Sequence, residues 1–117
     1  MKFTDTHEWV QISSEEGVAT VGVTSFVRKE LGEIVYVELP EVGKTVQAGE
    51  EVAVLESTKA AADVYAPVSG VITAVNRELK AQAELINRSP ENEGWLFRIA
   101  MSRPQEFETL LDCKSHE

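Results

Sequence analysis

The chain has 117 residues, 43% of them hydrophobic, a size that suits one compact domain and excludes two ordinary ones. Its 20 acidic and 11 basic residues give a formal net charge of -9, which argues against nucleic acid or an anionic membrane as a partner because the carboxylates would repel phosphates. No apolar run reaches the roughly 18 residues that a membrane-spanning helix needs.

Short apolar stretches separated by turn residues favour a sheet protein over a helical bundle. Strands are predicted at residues 8–12, 18–23, 34–39, 52–56, 71–75 and 95–100. A polar segment at 13–17, closed by Gly17, has the composition of a hairpin loop, so the first two strands are expected to pair. Trp9, Trp95 and Phe97 are expected to be core aromatics.

One segment between the second and third predicted strands breaks the strand pattern. Thr24 can cap a helix there and Gly32 can end it, so a short helix is predicted at residues 24–31.

A second helix is predicted at the C-terminal end, near residues 103–112. Ser102 and Gln105 have the spacing of a capping box, and the apolar residues that follow them form one stripe. The residues from Lys114 onward are expected to be frayed.

Residues 42–55 and 75–88 share an apolar spacing, which predicts two related β units. The segment that joins these units contains Lys59.

Lys59 is a lone lysine among small residues, in the stretch ESTKAAAD at 56–63. Its flexible stem and nucleophilic amine suit a residue that is acylated and then enters another enzyme's active site. An ordinary exposed lysine is the alternative, and the alanines alone would also allow a short helix. Strand-forming residues on both sides favour a hairpin with Lys59 at its tip.

Seven segments, in order, resemble the glycine cleavage H-protein family. They are THEWV at 6–10, VGVT at 21–24, LGEIVYVELP at 31–40, ESTKAAAD at 56–63, YAPVSG at 65–70, VN at 75–76 and GWL at 94–96. Each segment is weak alone, but the ordered set covers residues 3–99 and is highly specific. Thr58, Ala62 and the apolar pair Phe26-Val27 depart from the usual family pattern, which leaves open the partners that the chain serves.

The resemblance implies a mainly β fold, a flattened lipoyl/biotinyl-type β-sandwich (barrel-sandwich hybrid) of two small antiparallel sheets, formed by residues 1–117 as a single lipoyl-carrier domain. It also implies lipoate covalently attached to Lys59. In the family the lipoyl arm carries an aminomethyl group from glycine decarboxylase (P protein) to aminomethyltransferase (T protein), and dihydrolipoyl dehydrogenase (L protein) reoxidises it. A lipoate ligase or a lipoyl or octanoyl transferase would attach the cofactor. The chain would be a carrier and not an enzyme, and a monomer is expected because it must visit several active sites.

Two further residues gain expected roles from the resemblance. Glu8 matches a carboxylate that pairs with the amine of the loaded arm when the arm folds back, and a solvated strand residue is the alternative of equal weight. Asp63 is expected to guide the modifying ligase or to cap the returning strand. No catalytic residue and no metal ligand is expected, because no catalytic arrangement can be assembled and His7 has no second histidine nearby.

Three other functions remain open from the sequence. A lipoate relay protein would pass its lipoate to the lipoyl domains of 2-oxoacid dehydrogenases. A biotin carrier would also present a lysine on a hairpin, but with methionines beside it rather than Thr58 and Ala60. An interaction module without any modification would not depend on Lys59.

The single cysteine, Cys113, excludes a disulfide within the chain and favours a reducing compartment. The first residues have neither a secretory apolar stretch nor an Arg-rich amphipathic leader. A cytoplasmic location is therefore expected, with an organelle matrix as the alternative if a transit peptide has been removed.

Overall fold

The structure, a computed structural model, describes residues 1–12 and 17–112. Its strands are β1 (Lys2–Phe3), β2 (Glu8–Ile12), β3 (Val18–Val23), β4 (Ile34–Glu38), β5 (Thr45–Val46), β6 (Glu51–Ser57), β7 (Ala61–Tyr65), β8 (Gly70–Val75) and β9 (Phe97–Met101). Its helices are α1 (Ser25–Leu31), α2 (Glu84–Arg88) and α3 (Gln105–Glu108), and a 3₁₀ turn covers Arg77–Lys80.

The strands form two antiparallel sheets. The larger sheet has six strands in the order β1-β2-β3-β9-β8-β5, and the smaller has three in the order β4-β6-β7. One hydrophobic core joins them, with buried residues from the larger sheet and from the smaller sheet, among them Val10, Val21, Ile72, Ile99, Ile34, Leu55 and Val64. The mainly β, flattened sandwich expected from the resemblance is confirmed.

The predicted strands correspond closely to observed ones. Residues 8–12 and 18–23 are strands with those bounds, and they pair antiparallel as predicted, although residues 13–16 of the loop lie outside the described residues. The last strand starts later than predicted, at Phe97. Trp9 and Phe97 are buried, whereas Trp95 is only half-buried, so its core assignment is wrong. Trp95 lies before the strand and stacks under the Arg98 guanidinium, 4.2 Å from the ring centroid.

The edge of the smaller sheet is interrupted at its outer strand, β4. The pairing of β4 with β6 shifts register between Ile34 and Tyr36, and both Val35 and Tyr36 face solvent. The Asn87 side chain on α2 bonds both backbone groups of Ile34, accepting its N–H at 2.8 Å and donating to its carbonyl at 3.0 Å. An amide side chain therefore replaces a neighbouring strand at that point.

The first predicted helix is confirmed as α1, and its start differs in one detail. Thr24 is the N-cap residue, but its side chain makes no capping hydrogen bond and its hydroxyl is buried without a partner. The capping role predicted for Thr24 is therefore wrong. Gly32 ends the helix as predicted, with φ +85° and its N–H bonded to the Arg28 carbonyl.

The C-terminal helix is shorter than predicted. α3 covers four residues rather than 103–112, and it starts after Pro104 without a side-chain cap, so the predicted capping box of Ser102 is wrong. The reason lies at Leu111, whose N–H and carbonyl bond the backbone of Phe3. An extended Leu111 is incompatible with continued helix. The fraying expected from Lys114 onward falls in residues 113–117, which lie outside the described residues.

The predicted repeat of two β units is wrong in its second half. Residues that would repeat β5 and β6 form instead the 3₁₀ turn and α2. Leu79, Leu85 and Ile86 in these short helical segments are buried in the core. The shared apolar spacing therefore reflects burial and not a shared backbone.

Candidate functional site

Lys59 lies at the tip of the hairpin formed by β6 and β7. The strands pair as far as Glu56 and Ala61, and the Ser57 N–H donates to the Ala60 carbonyl at 2.9 Å. The Ser57 hydroxyl accepts the backbone N–H groups of Lys59 and Ala60, both at 3.1 Å. Lys59 is exposed, and the alanines that follow Ala60 belong to β7 rather than to a helix. The prediction of a hairpin tip is confirmed.

The stem of Lys59 lies against the C-terminal end of α1. A Cβ added at Gly32 would stand 3.5 Å from Lys59 Cε. Gly32 adopts a left-handed conformation that favours glycine, so the helix ends there without a side chain. The lysine stem therefore passes close to the backbone of Gly32.

An apolar groove of about 240 Å³ lies between α1 and the hairpin. Its apolar lining consists of Val23, Phe26, Val27, Leu31, Leu55, Ala62 and Val64. Its polar lining consists of Thr6, His7, Glu8, Glu30 and Asp63, which include three carboxylates. Because no lysine or arginine is among these lining residues, the groove favours an apolar chain that ends in a positive charge.

Glu8 lines the groove and is almost completely buried, with 1% of its surface exposed. Its carboxylate accepts hydrogen bonds from the Thr4 and Thr6 hydroxyls and, at 3.2 Å, from the Tyr65 N–H. Burial raises the pKa of Glu8 above its ordinary value, and the three hydrogen bonds, which lower that pKa, offset the rise only in part. The alternative in which Glu8 is a solvated strand residue is therefore wrong.

A second cavity, of about 510 Å³, shares Thr6 and Glu8 with the groove. Phe3 from β1 and Leu110 and Leu111 from the C-terminal part of the described chain form further walls of this cavity. The remaining wall includes Tyr65, at the end of β7, and Pro67. Glu8 therefore lines two cavities at once.

Comparison with known proteins gives the family. The sequence matches the family described as Glycine cleavage H-protein over residues 1–117. The chain belongs to the glycine cleavage H-protein family. A glycine cleavage system H protein from Thermotoga maritima is 55% identical over 116 residues, which cover 99% of this chain and 92% of that protein. A probable glycine cleavage system H protein from Aeropyrum pernix is 54% identical over 111 residues, covering 95% of this chain and 76% of that protein.

A solved structure supports the same family. The crystal structure of a glycine cleavage system H protein from Mycobacterium marinum matches with a TM-score of 0.81 and 39% sequence identity, covering 86% of this chain and 83% of that one. H proteins are carriers, so this chain is a carrier protein and not an enzyme. The resemblance seen in the sequence is confirmed.

In this H-protein chain Asp63 lies in the middle of β7 and is exposed. The strand begins earlier, at Ala61, so the prediction that Asp63 caps the strand is wrong. Its position on the lining of the groove, opposite Val54 on β6, leaves the recognition role as a prediction.

Several groove residues were missed by the sequence analysis. His7 adopts a left-handed backbone conformation with φ +70°, and its ring centroid lies 4.2 Å from that of Phe26. Thr4 and Thr6 were also missed, although they precede Glu8 at alternating positions, a spacing that can direct their hydroxyls toward one carboxylate. Phe26 was noted only as a departure from the family pattern.

Two absences concern the described residues alone. Within residues 1–12 and 17–112, no group of three or more histidine, cysteine or acidic side chains could hold a metal ion. None of the helices in that part of the chain is long and apolar enough to cross a membrane.

Proposed function

We propose that this chain carries lipoate in amide linkage on Lys59 and moves an aminomethyl group from glycine decarboxylase to aminomethyltransferase, with reoxidation by dihydrolipoyl dehydrogenase. Two observations carry the proposal: the stem of exposed Lys59 lies at the end of α1, at Gly32, and residues of the same helix line the groove on which Glu8 opens. The lipoyl group, when attached, supplies a dithiolane that accepts the aminomethyl group on sulfur. A lipoate ligase or a lipoyl or octanoyl transferase would attach it.

The residues around Lys59 fit such an arm. Exposed Thr58 and Ala60 are small neighbours, so the tip is slim enough to enter a partner's active site. The groove offers a mainly apolar lining to a hydrocarbon chain, and apolar contact of this kind stabilises by about 0.8 kcal/mol for each fully buried methylene. Leu31 and Val27 on α1 face Leu55 and Ala62 of the hairpin across it. A chain anchored at Lys59 can therefore fold back onto the protein.

Glu8 gives the groove its selectivity for a cation. An ammonium group beside this carboxylate would favour its ionised form, against the burial that raises its pKa. By the same coupling, Glu8 would hold the amine protonated, and a protonated amine has no free electron pair with which to break the bond between the carried methylene and sulfur. The Thr4 and Thr6 hydroxyls and the Tyr65 N–H keep the carboxylate in place for that contact.

The burial of Glu8 favours the aminomethyl carrier over the lipoate relay. A relay protein moves a neutral acyl group, which gains nothing from a carboxylate that is costly to bury. An aminomethyl carrier moves a cation, for which the same carboxylate is the complement. The aminomethyl role therefore explains why the carboxylate of Glu8 is buried.

Tethering is the contribution of the carrier as a whole. Once the carrier has docked on an enzyme, the attached arm is presented to that active site at an effective concentration in about the millimolar range. We infer that residues 1–117 act as one monomeric carrier domain in a reducing compartment such as the cytoplasm, since the chain has a single cysteine and the arm itself is a dithiol after delivery.

The test is an intact mass measurement with peptide mapping on protein purified from its own host, grown with sufficient lipoate. A single lipoyl amide on Lys59 is expected. The matched control is Lys59→Arg, which keeps the positive charge but cannot be acylated in the same way. An unmodified Lys59, or a lipoyl group on another lysine, would refute the proposal.

A second measurement separates the aminomethyl carrier from the relay. Lipoylated protein is incubated with glycine decarboxylase and labelled glycine, and the label bound to the carrier is counted. Label on wild-type protein, absent from Lys59→Arg, is expected of the aminomethyl carrier. Transfer of lipoate to a lipoyl domain without retention of label would support the relay instead.

A further inference from the structure

The two ends of the described chain are joined beside Glu8. Phe3 and Leu111 exchange both backbone hydrogen bonds, each of 2.8 Å, and form an isolated antiparallel bridge. Phe3 also pairs with Trp9 on its other side. Strand β1 has only two residues, so the bridge to Leu111 supplies its second edge.

Thr4, which directly follows this bridge, bonds Glu8 in three ways. Its N–H donates to the Glu8 carbonyl at 2.9 Å, and its hydroxyl accepts the Glu8 N–H at 3.0 Å. The same hydroxyl donates to the Glu8 carboxylate. The position of Thr4 therefore determines where the carboxylate of Glu8 is held, and the bridge fixes the residue before Thr4.

The segment that carries Leu111, residues 109–112, is here termed the C-terminal strap. All of its residues except Asp112 line the second cavity, on which Glu8 also opens. Leu110 packs against the core, and α3 before the strap is anchored by Glu106, which accepts the Ser69 N–H at 2.7 Å. The strap is thus one wall of the cavity on which Glu8 opens, and it is held by the contact of Leu110 with the core and by the bridge at Leu111.

We propose that Leu111 is a positioning residue for Glu8: through its bridge to Phe3 it holds Thr4 on the carboxylate and keeps in place one wall of the second cavity, on which Glu8 opens. The inference rests on the role of Glu8 in the proposed function. The C-terminal strap would then prolong the lifetime of the loaded carrier, although it lies far in sequence from Lys59.

The backbone bridge between Phe3 and Leu111 can be tested independently of the other contacts at the strap. Lys2 and Asp112 form an ion pair of 3.2 Å, but the Asp112 side chain is 90% exposed, so this pair contributes little. The backbone bridge is unaffected by the identity of the Leu111 side chain, which is 42% exposed. A proline at this position removes the N–H donor, whereas an alanine keeps it.

The test compares Leu111→Pro with Leu111→Ala in the full-length chain. In unmodified protein, the carboxyl resonance of Glu8 is titrated by NMR. The proline variant is expected to lower the pKa of Glu8 toward its ordinary value. Burial is the largest cause of the raised pKa, so access of water outweighs the lost Thr4 hydrogen bond, which alone would raise that pKa. The alanine variant is expected to change the pKa much less. Asp5, whose charge also raises the pKa of Glu8, is unchanged in both proteins. Equal Glu8 titration in wild type and Leu111→Pro would overturn the inference.

A second readout uses the lipoylated, loaded carrier. Hydrolysis by one water releases one formaldehyde and one ammonium ion and leaves a thiol, and both products are timed. Leu111→Pro is expected to shorten the lifetime about fivefold, the effect of one net hydrogen bond, while Leu111→Ala and Lys2→Met stay close to wild type. Equal lifetimes in the proline and alanine variants, with lifetime shortened in Glu8→Gln, would overturn the role of Leu111 and leave the proposed function intact. An unchanged lifetime in Glu8→Gln would instead count against the proposed role of Glu8.

Amide hydrogen exchange on wild-type protein tests the bridge even if the proline variant fails to fold. The bridge predicts slow exchange at both the Phe3 and Leu111 amides. Exchange at the rate of an unprotected amide at both positions would overturn the inference without any substitution.

Discussion

The Trp9 indole lies against the backbone of Gly22 on the neighbouring strand. A Cβ added at Gly22 would stand 2.6 Å from three atoms of the Trp9 ring, Cε2, Cζ2 and Nε1. The two residues are direct partners in the pairing of β2 with β3. The ring is held in place by its Nε1–H bond to the Pro90 carbonyl, at 2.9 Å.

Gly22→Ala is therefore expected to destabilise the protein by about 2 kcal/mol, because the Trp9 ring must leave its place and its bond to Pro90. Urea unfolding of both proteins measures the loss. The control is a double-mutant cycle with Trp9→Leu, in which the added methyl group should cost much less. Strictly additive free energies would contradict the packing described here.

Glu8→Gln is expected to make the free energy of unfolding less dependent on pH, since an amide does not ionise, but its NH2 group cannot accept the Tyr65 N–H that bonds the carboxylate. The folded protein binds the Glu8 proton more tightly than the unfolded chain does, because burial raises the pKa of Glu8 from its ordinary value of 4.5. The Glu8 contribution to stability is thus fully present below pH 4.5 and is lost as the pH rises through the higher folded value. Chemical unfolding across that window should show a steeper decline in wild type than in Glu8→Gln, and parallel pH profiles would contradict it.

The same variant is expected to shorten the lifetime of the loaded carrier about tenfold, the effect of one unit of change in amine pKa. The neutral amide no longer favours the protonated amine at the end of the arm. Timed release of formaldehyde and ammonia measures the change. Lipoylation of Lys59 is the internal control and should proceed at the wild-type rate, since Glu8 is buried in the body of the protein and Lys59 is exposed at the tip.

Ser57→Ala is expected to slow acylation of Lys59 by the host ligase several-fold. Its hydroxyl accepts two backbone N–H groups of the turn, and loss of an exposed hydrogen bond costs about 0.5 kcal/mol each. Ser57→Thr, which keeps the hydroxyl, is the matched control and should be acylated at nearly the wild-type rate. Equal rates in all three proteins would show that the ligase does not depend on the shape of the turn.

Asn87→Ala is expected to destabilise the protein by about 2 kcal/mol, because both backbone groups of Ile34 lose their partner. Asn87→Asp is a sharper probe, since it keeps the acceptor for the Ile34 N–H but points a carboxylate at the Ile34 carbonyl. Both variants should unfold at lower urea than wild type, and Asp should recover stability at low pH. A urea midpoint of unfolding equal to that of wild type, in either variant, would contradict the hydrogen bonds between Asn87 and Ile34.

Much of the fold could be predicted from the sequence because the information is local. Alternating and continuous apolar runs define β2 and β3 with their observed bounds, and the turn around Lys59 follows from the strands on either side of it. The left-handed Gly32 after α1 was also predictable from residue type.

The remaining features depend on contacts that are distant in sequence. The Glu8 carboxylate is bonded by its near neighbours Thr4 and Thr6, but also by the Tyr65 backbone N–H, which is 57 residues away in the sequence. The helix α3 ends early because the backbone of Leu111 bonds that of Phe3, more than a hundred residues away in the sequence. Local patterns contain neither partner, so they predicted a longer helix and left the burial of Glu8 undecided.

The bulge at β4 has a consequence for a protein that must work beside large enzymes. An outer strand with free N–H and carbonyl groups is a template on which another chain can add a strand, and exposed Val35 and Tyr36 would make such an edge adhesive. The irregular register and the Asn87 side chain at Ile34 prevent this by leaving no straight row of unsatisfied groups. The carrier can therefore expose Val35 and Tyr36 close to its tip without aggregating through the edge of β4.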